Sequence, residues 1–301
     1  MSEPAQFSYR ASGMSFAALA WGPADGPLAL CLHGYPDTAW TWRHLGPALG
    51  ARGWRVVAPF MRGYAPTDLA PDGCYQIGAL ARDANEAHAA LGGDERAVLI
   101  GHDWGATAAY TAGALAPSLW RRVVTLAIPP PALLLPPTSS RAVAARLPIA
   151  ARQLRFSWYM FYQQLPGISE RSLDRLIPRL WADWSPGYDG REDIARVFDS
   201  IGEPVRRTAA LRYYRALMQP WYRSREYAPE QRRVFSLPSS PVLYMHGIDD
   251  GCLQPAYAAG AGAVLAPGSE VELVPHAGHF LALEQPEFVN ERIAGFIEQR
   301  L

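Results

Sequence analysis

The chain has 301 residues, 49% of them hydrophobic, and 28 basic residues balance 28 acidic ones. That length and composition fit one large α/β domain, with or without an inserted subdomain, and exclude a disordered or fibrous protein. Zero net charge leaves no global field to attract nucleic acid or an anionic membrane, so a small neutral substrate is expected. The cysteines, Cys31, Cys74 and Cys252, are odd in number and share no CxxC spacing, so neither a disulfide framework nor a metal site is expected, and no cofactor is called for. Residues 1–10 are polar and unlike a signal peptide, and no apolar run approaches the roughly 20 residues of a spanning helix. A soluble, cytoplasmic protein without a membrane partner is the expectation, with monomer and homodimer both open.

In chain order, short runs of β-branched and aliphatic residues at 28–32, 54–58, 97–100, 123–128, 242–245 and 271–274 read as buried parallel strands. Amphipathic stretches at 77–91 and 106–116 lie between them, and a last one at 286–300 opens on Pro286, which suits a helical first turn. Alternating strands and helices predict an α/β fold with a mostly parallel, doubly wound sheet. The alternation stops after Ile128, where Pro129, Pro130, Pro131, Pro136 and Pro137 punctuate the chain, and no strand-like run returns before Val242. Residues 131–235 therefore read as an inserted helical cap between core segments 1–130 and 236–301. The cap is rich in aromatics, and its 16 arginines against 10 acids from 131 to 232 read as a solvated basic helical surface.

The run at 97–105, Ala-Val-Leu-Ile-Gly-His-Asp-Trp-Gly, brings a strand into a helix through Gly101-His102-Asp103-Trp104-Gly105. Small residues flanking a central nucleophile by two positions form a nucleophile elbow, here with Asp in place of Ser. The turn is so sharp that bulkier neighbours at Gly101 and Gly105 would clash, and it projects Asp103 at the carboxyl end of the sheet. The plainer reading is a βα turn with Asp capping the helix. Three other segments weigh against it. His33-Gly34-Tyr35-Pro36 follows the first parallel strand, where a hydrolase of this kind carries its oxyanion loop, so the backbone N–H groups of Tyr35 and Trp104 are the candidate donors. His279, in Ala277-Gly278-His279-Phe280, is the candidate general base, with His276 its weaker competitor. In Gly247-Ile248-Asp249-Asp250, either carboxylate at the strand end is placed to orient the imidazole. A metal site built from His246 with Asp249 and Asp250 is disfavoured, because the spacing does not put ligands on a shared face.

Asp103, Asp250 and His279, in the chain order nucleophile, acid, histidine, resemble the epoxide hydrolase and haloalkane dehalogenase branch of the α/β-hydrolase superfamily over nearly the whole chain. Arg62-Gly63-Tyr64 and Glu284-Gln285-Pro286 are further matching pieces. The resemblance implies an α/β-hydrolase fold with a cap, and its acid three residues after the Gly selects Asp250 over Asp249. A carboxylate nucleophile displaces at an sp³ carbon and leaves an ester on its own side chain, which water activated by His279 hydrolyses. An epoxide leaves as an alkoxide that needs a proton, and tyrosines can donate one. The run from Tyr159 to Gly167 is similar to the aromatic cap segment ending in Gln-x-Pro-Gly, which puts the first acid at Tyr159, with Tyr162 as fallback; Arg212-Tyr213-Tyr214-Arg215 is similar to Asn-aromatic-Tyr-Arg, which puts the second at Tyr214, although Arg212 stands in place of Asn. Trp104, Tyr162 and Tyr213 are the expected substrate contacts, and a small apolar epoxide and water the expected partners. The alternative is a haloalkane dehalogenase: Trp104 meets its need for an indole after the nucleophile, whereas the Tyr35 side chain is neither indole nor amide. Trp104 also disfavours a fluoroacetate-type dehalogenase, which carries Arg there. A fold that has lost its chemistry is a third reading, set against the competent residues at every expected position.

Overall fold

The computed structural model describes residues 3–135 and 140–299. The chain opens with two strands that the apolar pattern does not announce, β1 (Ala5–Ala11) and β2 (Met14–Trp21), paired antiparallel across the tight turn at Ser12-Gly13. Then come β3 (Leu28–Leu32), β4 (Arg55–Pro59), β5 (Val98–His102), β6 (Arg122–Leu126), β7 (Val242–Gly247) and β8 (Glu270–Val274), all mutually parallel. The eight form one sheet in the order β1-β2-β4-β3-β5-β6-β7-β8, with β2 antiparallel to β4. Helices cover both faces of the middle strands, so β3, β5, β6 and β7 are buried at every residue, which is why they read as unbroken apolar runs. The sheet edges differ. β1 is exposed over most of its length and β8 is half-buried.

The core helices preceding the insertion are α1 (Leu45–Gly50), α2 (Ile77–Ala90) and α3 (Trp104–Gly113). Between β6 and β7 lie α4 (Ser140–Phe156), α5 (Trp158–Tyr162), α6 (Ile168–Trp184), α7 (Arg191–Ile201), α8 (Pro204–Met218) and α9 (Ala228–Gln231), with no strand among the described residues of that stretch. The chain then returns to the sheet and ends with α10 (Ala261–Val264), α11 (Leu281–Glu284) and α12 (Pro286–Glu298). Pro136 and Pro137 fall outside the described residues. No helix among the described residues is long and apolar enough to cross a membrane.

The inserted helices dock on the loops at the carboxyl edge of the sheet. α6 buries Leu173, Leu176, Ile177, Leu180, Trp181 and Trp184, an i, i+3, i+4, i+7 stripe typical of a helix with one buried face. Its Trp181 ring stacks on Phe280 at a centroid distance of 3.6 Å, and the indole N–H donates to the Pro36 carbonyl at 3.0 Å. The Trp184 carbonyl accepts from the N–H groups of His279 (2.9 Å) and Gly251 (3.2 Å). On α8, Arg215 is buried and bonds Glu170 Oε1 at 2.7 Å, which draws α8 onto α6. The Glu170 carboxyl, where burial would raise the pKa, is instead held at about 2 by Arg215 and backbone N–H groups.

Candidate active site

β5 ends by presenting Asp103 at φ 50° and ψ −115°, ahead of an α3 that starts at Trp104, two residues earlier than the pattern implied. A non-glycine residue there stores about 1–3 kcal/mol of strain, which persists only where packing enforces it. The enforcement is visible around the turn. A Cβ on Gly101 would lie 2.2 Å from the Gly105 carbonyl oxygen, and one on Gly105 would lie 2.1 Å from that of Leu32. A Cβ on Gly34 would fall 2.3 Å from Asp103 Cβ. The three glycines thus let β3, the loop after it and α3 close around one carboxylate.

Asp103 Oδ1 accepts the Tyr35 N–H at 2.8 Å. Of the two expected amide donors this one is engaged, and among the described residues no bond runs from Trp104 N–H to the carboxylate. The loop holding Tyr35 is anchored by His33, whose Nδ1–H donates to the Gly34 carbonyl (2.8 Å) while Nε2 accepts from Met61 N–H (2.9 Å). Burial lowers the His33 pKa to about 4, so the ring is neutral and that tautomer is kept.

His279 Nε2 lies 3.6 Å from Asp103 Oδ2, and Nδ1–H donates to Asp250 Oδ2 at 3.0 Å. Asp250 Oδ1 accepts the N–H groups of Cys252 (2.6 Å) and Leu253 (3.0 Å), which fixes the acid in its loop. Asp249 and His276, the sequence competitors, are exposed and take no part. His246 packs on the far side of Asp250, its Nε2 3.3 Å from Oδ2 and donating to the Leu253 carbonyl at 2.9 Å. The His279 loop is clamped from two directions. His102 Nε2–H donates to the His279 carbonyl at 2.9 Å, and Glu284 accepts from Gly278 N–H (2.8 Å) and the Ser185 hydroxyl (2.6 Å).

The electrostatics follow from this enclosure. Burial would raise the Asp103 pKa, but the nearby His279 imidazole, 3.6 Å away, with the Tyr35 N–H, outweighs it and holds the carboxyl below its usual range. Burial would lower His279, but the adjacent Cys252 sulfur and the carboxylates of Asp250 and Asp103 outweigh it and raise it well above the usual imidazole range.

Above Asp103 opens a cavity of about 190 Å³, walled mostly by apolar side chains, among them Ile128, Leu134, Met160, Leu217 and Phe235. Tyr159 and Tyr214 line it beside Asp103 and Trp104, their rings edge to face at 5.7 Å. Tyr214 also meets the Trp104 and Tyr35 rings at 5.0 and 5.2 Å. The hydroxyl of Tyr214 and the indole N–H of Trp104 are buried without a partner among the described residues. The Tyr159 hydroxyl touches Cys252 Sγ at 3.4 Å. Burial raises both phenols well above their usual range, so they stay protonated.

Two expected substrate contacts lie away from this cavity. The Tyr213 hydroxyl donates to the Arg62 carbonyl at 2.8 Å, and the Tyr162 hydroxyl to Ser172 Oγ at 3.0 Å; neither residue lines the cavity. Adjacent residues on a helix point about 100° apart, so α8 turns Tyr214 to the cavity and Tyr213 to the core. Tyr213 there meets Arg62, whose guanidinium bonds both oxygens of Asp83 at 2.5 and 2.6 Å. Sequence reasoning missed Cys252, which lines the cavity beside Tyr159. No motif marks that lone thiol. Among the described residues Asp250, Cys252 and His279 form a group that could hold a metal ion, their donor atoms within 4.8 Å of one another, although the cysteine spacing gives no hint of one.

A family model described as alpha/beta hydrolase fold matches residues 27–286. The chain is 29% identical over 296 residues to the AB hydrolase superfamily protein YfhM of Bacillus subtilis, covering 96% of each. It is 27% identical to Epoxide hydrolase 3 of Mus musculus, covering 97% of this chain and 76% of that protein. Among solved structures, an epoxide hydrolase from Vigna radiata superposes with a TM-score of 0.77 at 24% identity, covering 98% of each chain, a likeness of fold.

Proposed function

The chain belongs to the α/β-hydrolase-fold family, and from that premise we propose that it is an epoxide hydrolase converting an apolar epoxide to a vicinal diol. One observation carries the reading: two buried phenols, Tyr159 and Tyr214, share an apolar cavity with a carboxylate, Asp103. The name of the Mus musculus relative points the same way. We take residues 131–235 as the cap and 1–130 with 236–301 as the core. The three cysteines are free thiols, which suits the cytoplasm.

Asp103 attacks an epoxide carbon, the C–O bond breaks, and a tyrosine donates its proton to the departing alkoxide. Two donors edge to face share that task. The product is an ester on Asp103, still attached to the ring-opened alcohol. Esterification removes one of the negative charges that hold the extra proton on His279, so the ring gives that proton up and solvent returns one to the tyrosinate. The neutral imidazole, oriented through Nδ1 by Asp250, then serves as base for an attacking water. Water adds to the ester carbonyl carbon as His279 takes its proton, and the oxyanion that forms belongs to Asp103, where the Tyr35 N–H, joined by that of Trp104, stabilises it. Its collapse breaks the ester C–O bond, the His279 imidazolium protonates the leaving alkoxide, and the diol and the Asp103 carboxylate are released. No metal or organic cofactor enters this sequence of steps.

A haloalkane dehalogenase is the second reading, favoured by the buried, unpartnered indole N–H of Trp104, a residue that lines the same cavity. Incubation with a fluorogenic epoxide and with a bromoalkane separates the two. Diol formation without bromide release is the expected result; bromide release without epoxide turnover would overturn it.

A further inference from the structure

We infer that Asp250, Cys252 and His279 form a binding site for one thiophilic divalent cation of the zinc class, and that its occupation stops turnover. The stopping of turnover rests on the epoxide hydrolase reading; the binding does not.

The donor set is the first argument. A thiol, an imidazole and a carboxylate, all buried, bring their donor atoms within 4.8 Å of one another. His279 Nδ1 and Asp250 Oδ2 are already 3.0 Å apart. Zinc binds sulfur at about 2.3 Å and nitrogen or oxygen at about 2.0–2.2 Å, so tetrahedral donors stand roughly 3.5 Å from one another. Closing the trio around an ion thus needs a small swing of the Cys252 side chain and a parting of Nδ1 and Oδ2 by about half an ångström. Its backbone is held in place, because the Cys252 N–H donates to Asp250 at 2.6 Å.

Charge is the second. A thiolate and a carboxylate carry two negative charges, and with a neutral imidazole they cancel a divalent cation, giving a neutral complex inside an apolar wall. Burying an uncompensated charge there would be costly. The thiol proton and the Nδ1 proton leave to solvent as the ion binds. Access is the third, since Cys252 lines the cavity through which substrate must enter. The fourth coordination position falls to water or to the Tyr159 oxygen, 3.4 Å from Sγ. Soft donors of this kind select zinc, cadmium or cobalt over magnesium and calcium, which prefer all-oxygen sites.

An ion on Nδ1 takes the place of the proton that links His279 to Asp250, so the ring loses its orienting bond and its role as base. Cys252 would then be the residue through which metal availability controls the enzyme.

The test uses the full-length, metal-free protein titrated with Co²⁺ and then Zn²⁺. One Co²⁺ per chain should bind with a thiolate-to-cobalt charge-transfer absorption, lost on addition of Zn²⁺. Cys252→Ser should abolish that absorption and weaken Zn²⁺ binding by about tenfold or more. Because a core substitution can disturb folding, the unaltered protein supplies a second measure: Zn²⁺ should slow iodoacetamide alkylation of the Cys252 peptide, read by mass spectrometry. Absence of the absorption, equal Zn²⁺ affinity in Cys252→Ser, or unprotected alkylation would each overturn the site. In the activity arm, micromolar Zn²⁺ should stop epoxide turnover, a chelator should restore it and millimolar Mg²⁺ should leave it untouched. Full turnover with zinc bound would overturn the control while leaving the site intact, and zinc binding by a protein that turns over no epoxide even when metal-free would instead sink the functional reading.

Discussion

The loops at the carboxyl edge of the sheet and the helices inserted above them hold their polar groups by different physics. Below, Asp103 sits at φ 50° because glycines at 34, 101 and 105 leave no room for any other path, and every hydrogen bond fixing Asp250 at Oδ1 comes from backbone. Above, Tyr159 and Tyr214 are held by ring contacts, and the hydroxyl of Tyr214 has no partner among the described residues. On the proposed mechanism, backbone enforcement would fix the attacking carboxylate closely, whereas packing on helices would leave a proton donor free to follow the substrate oxygen. The difference teaches that bond formation and proton delivery need not be built to the same tolerance.

That contrast can be broken at the bottom first. Asp103→Ala should lower turnover by about 10⁴-fold or more, since no other carboxylate among the described residues lines the cavity; product assays that retain more than a percent of activity would end the case for a carboxylate nucleophile. Gly105→Ala, which places a methyl 2.1 Å from the Leu32 carbonyl oxygen, should destabilise the protein by about 2–4 kcal/mol. A native melting curve for that variant would mean the elbow is softer than argued. His279→Gln should trap the ester, visible as a substrate-sized mass increase on the intact protein, and its absence with a substrate that the unaltered enzyme consumes would remove the covalent step.

The upper region should respond more gently. Tyr159→Phe and Tyr214→Phe should each slow ring opening by about tenfold and together by well over a hundredfold, because either donor partly covers for the other. Two silent single variants with a silent double would reassign proton delivery altogether. The smallest effect is expected at Tyr213→Phe, which gives up one bond to the Arg62 carbonyl, about 1 kcal/mol and a Tm drop of about 2 °C, with the catalytic rate unmoved.

Much of the sheet was legible because buried parallel strands must be apolar on both faces. β3 matches its expected residues, and the ends of β4 to β8 shift by one or two. β1 and β2 were not, since an exposed edge strand carries no apolar run and the three alanines of β2, at 17, 18 and 20, blur the alternation that Met14 and Phe16 begin. Asp103 and His279 could be picked out because glycines and strand ends constrain such positions locally, whereas Asp250 was separated from Asp249 only by the family resemblance; the three lie together in the structure. The choice among Tyr159, Tyr162, Tyr213 and Tyr214 could not be read from helical phase in a segment whose every face is aromatic. Cys252 and the Trp184 carbonyl reach His279 only through the return of distant chain, and no local pattern carries that.

The walls above Asp103 also bear on the direction of traffic. Leu134 and Phe235 line the cavity and are 43% and 54% exposed, so the passage stays oily up to its mouth. An epoxide gains about 0.8 kcal/mol for each methylene it moves from water into such a lining. The diol carries two new hydroxyls into a channel with few acceptors, and leaving them unpaired costs about 1–3 kcal/mol each. Partitioning therefore favours uptake of the reactant and expulsion of the product. On the proposed reaction, the same wall would act as an extractant that helps to clear the site.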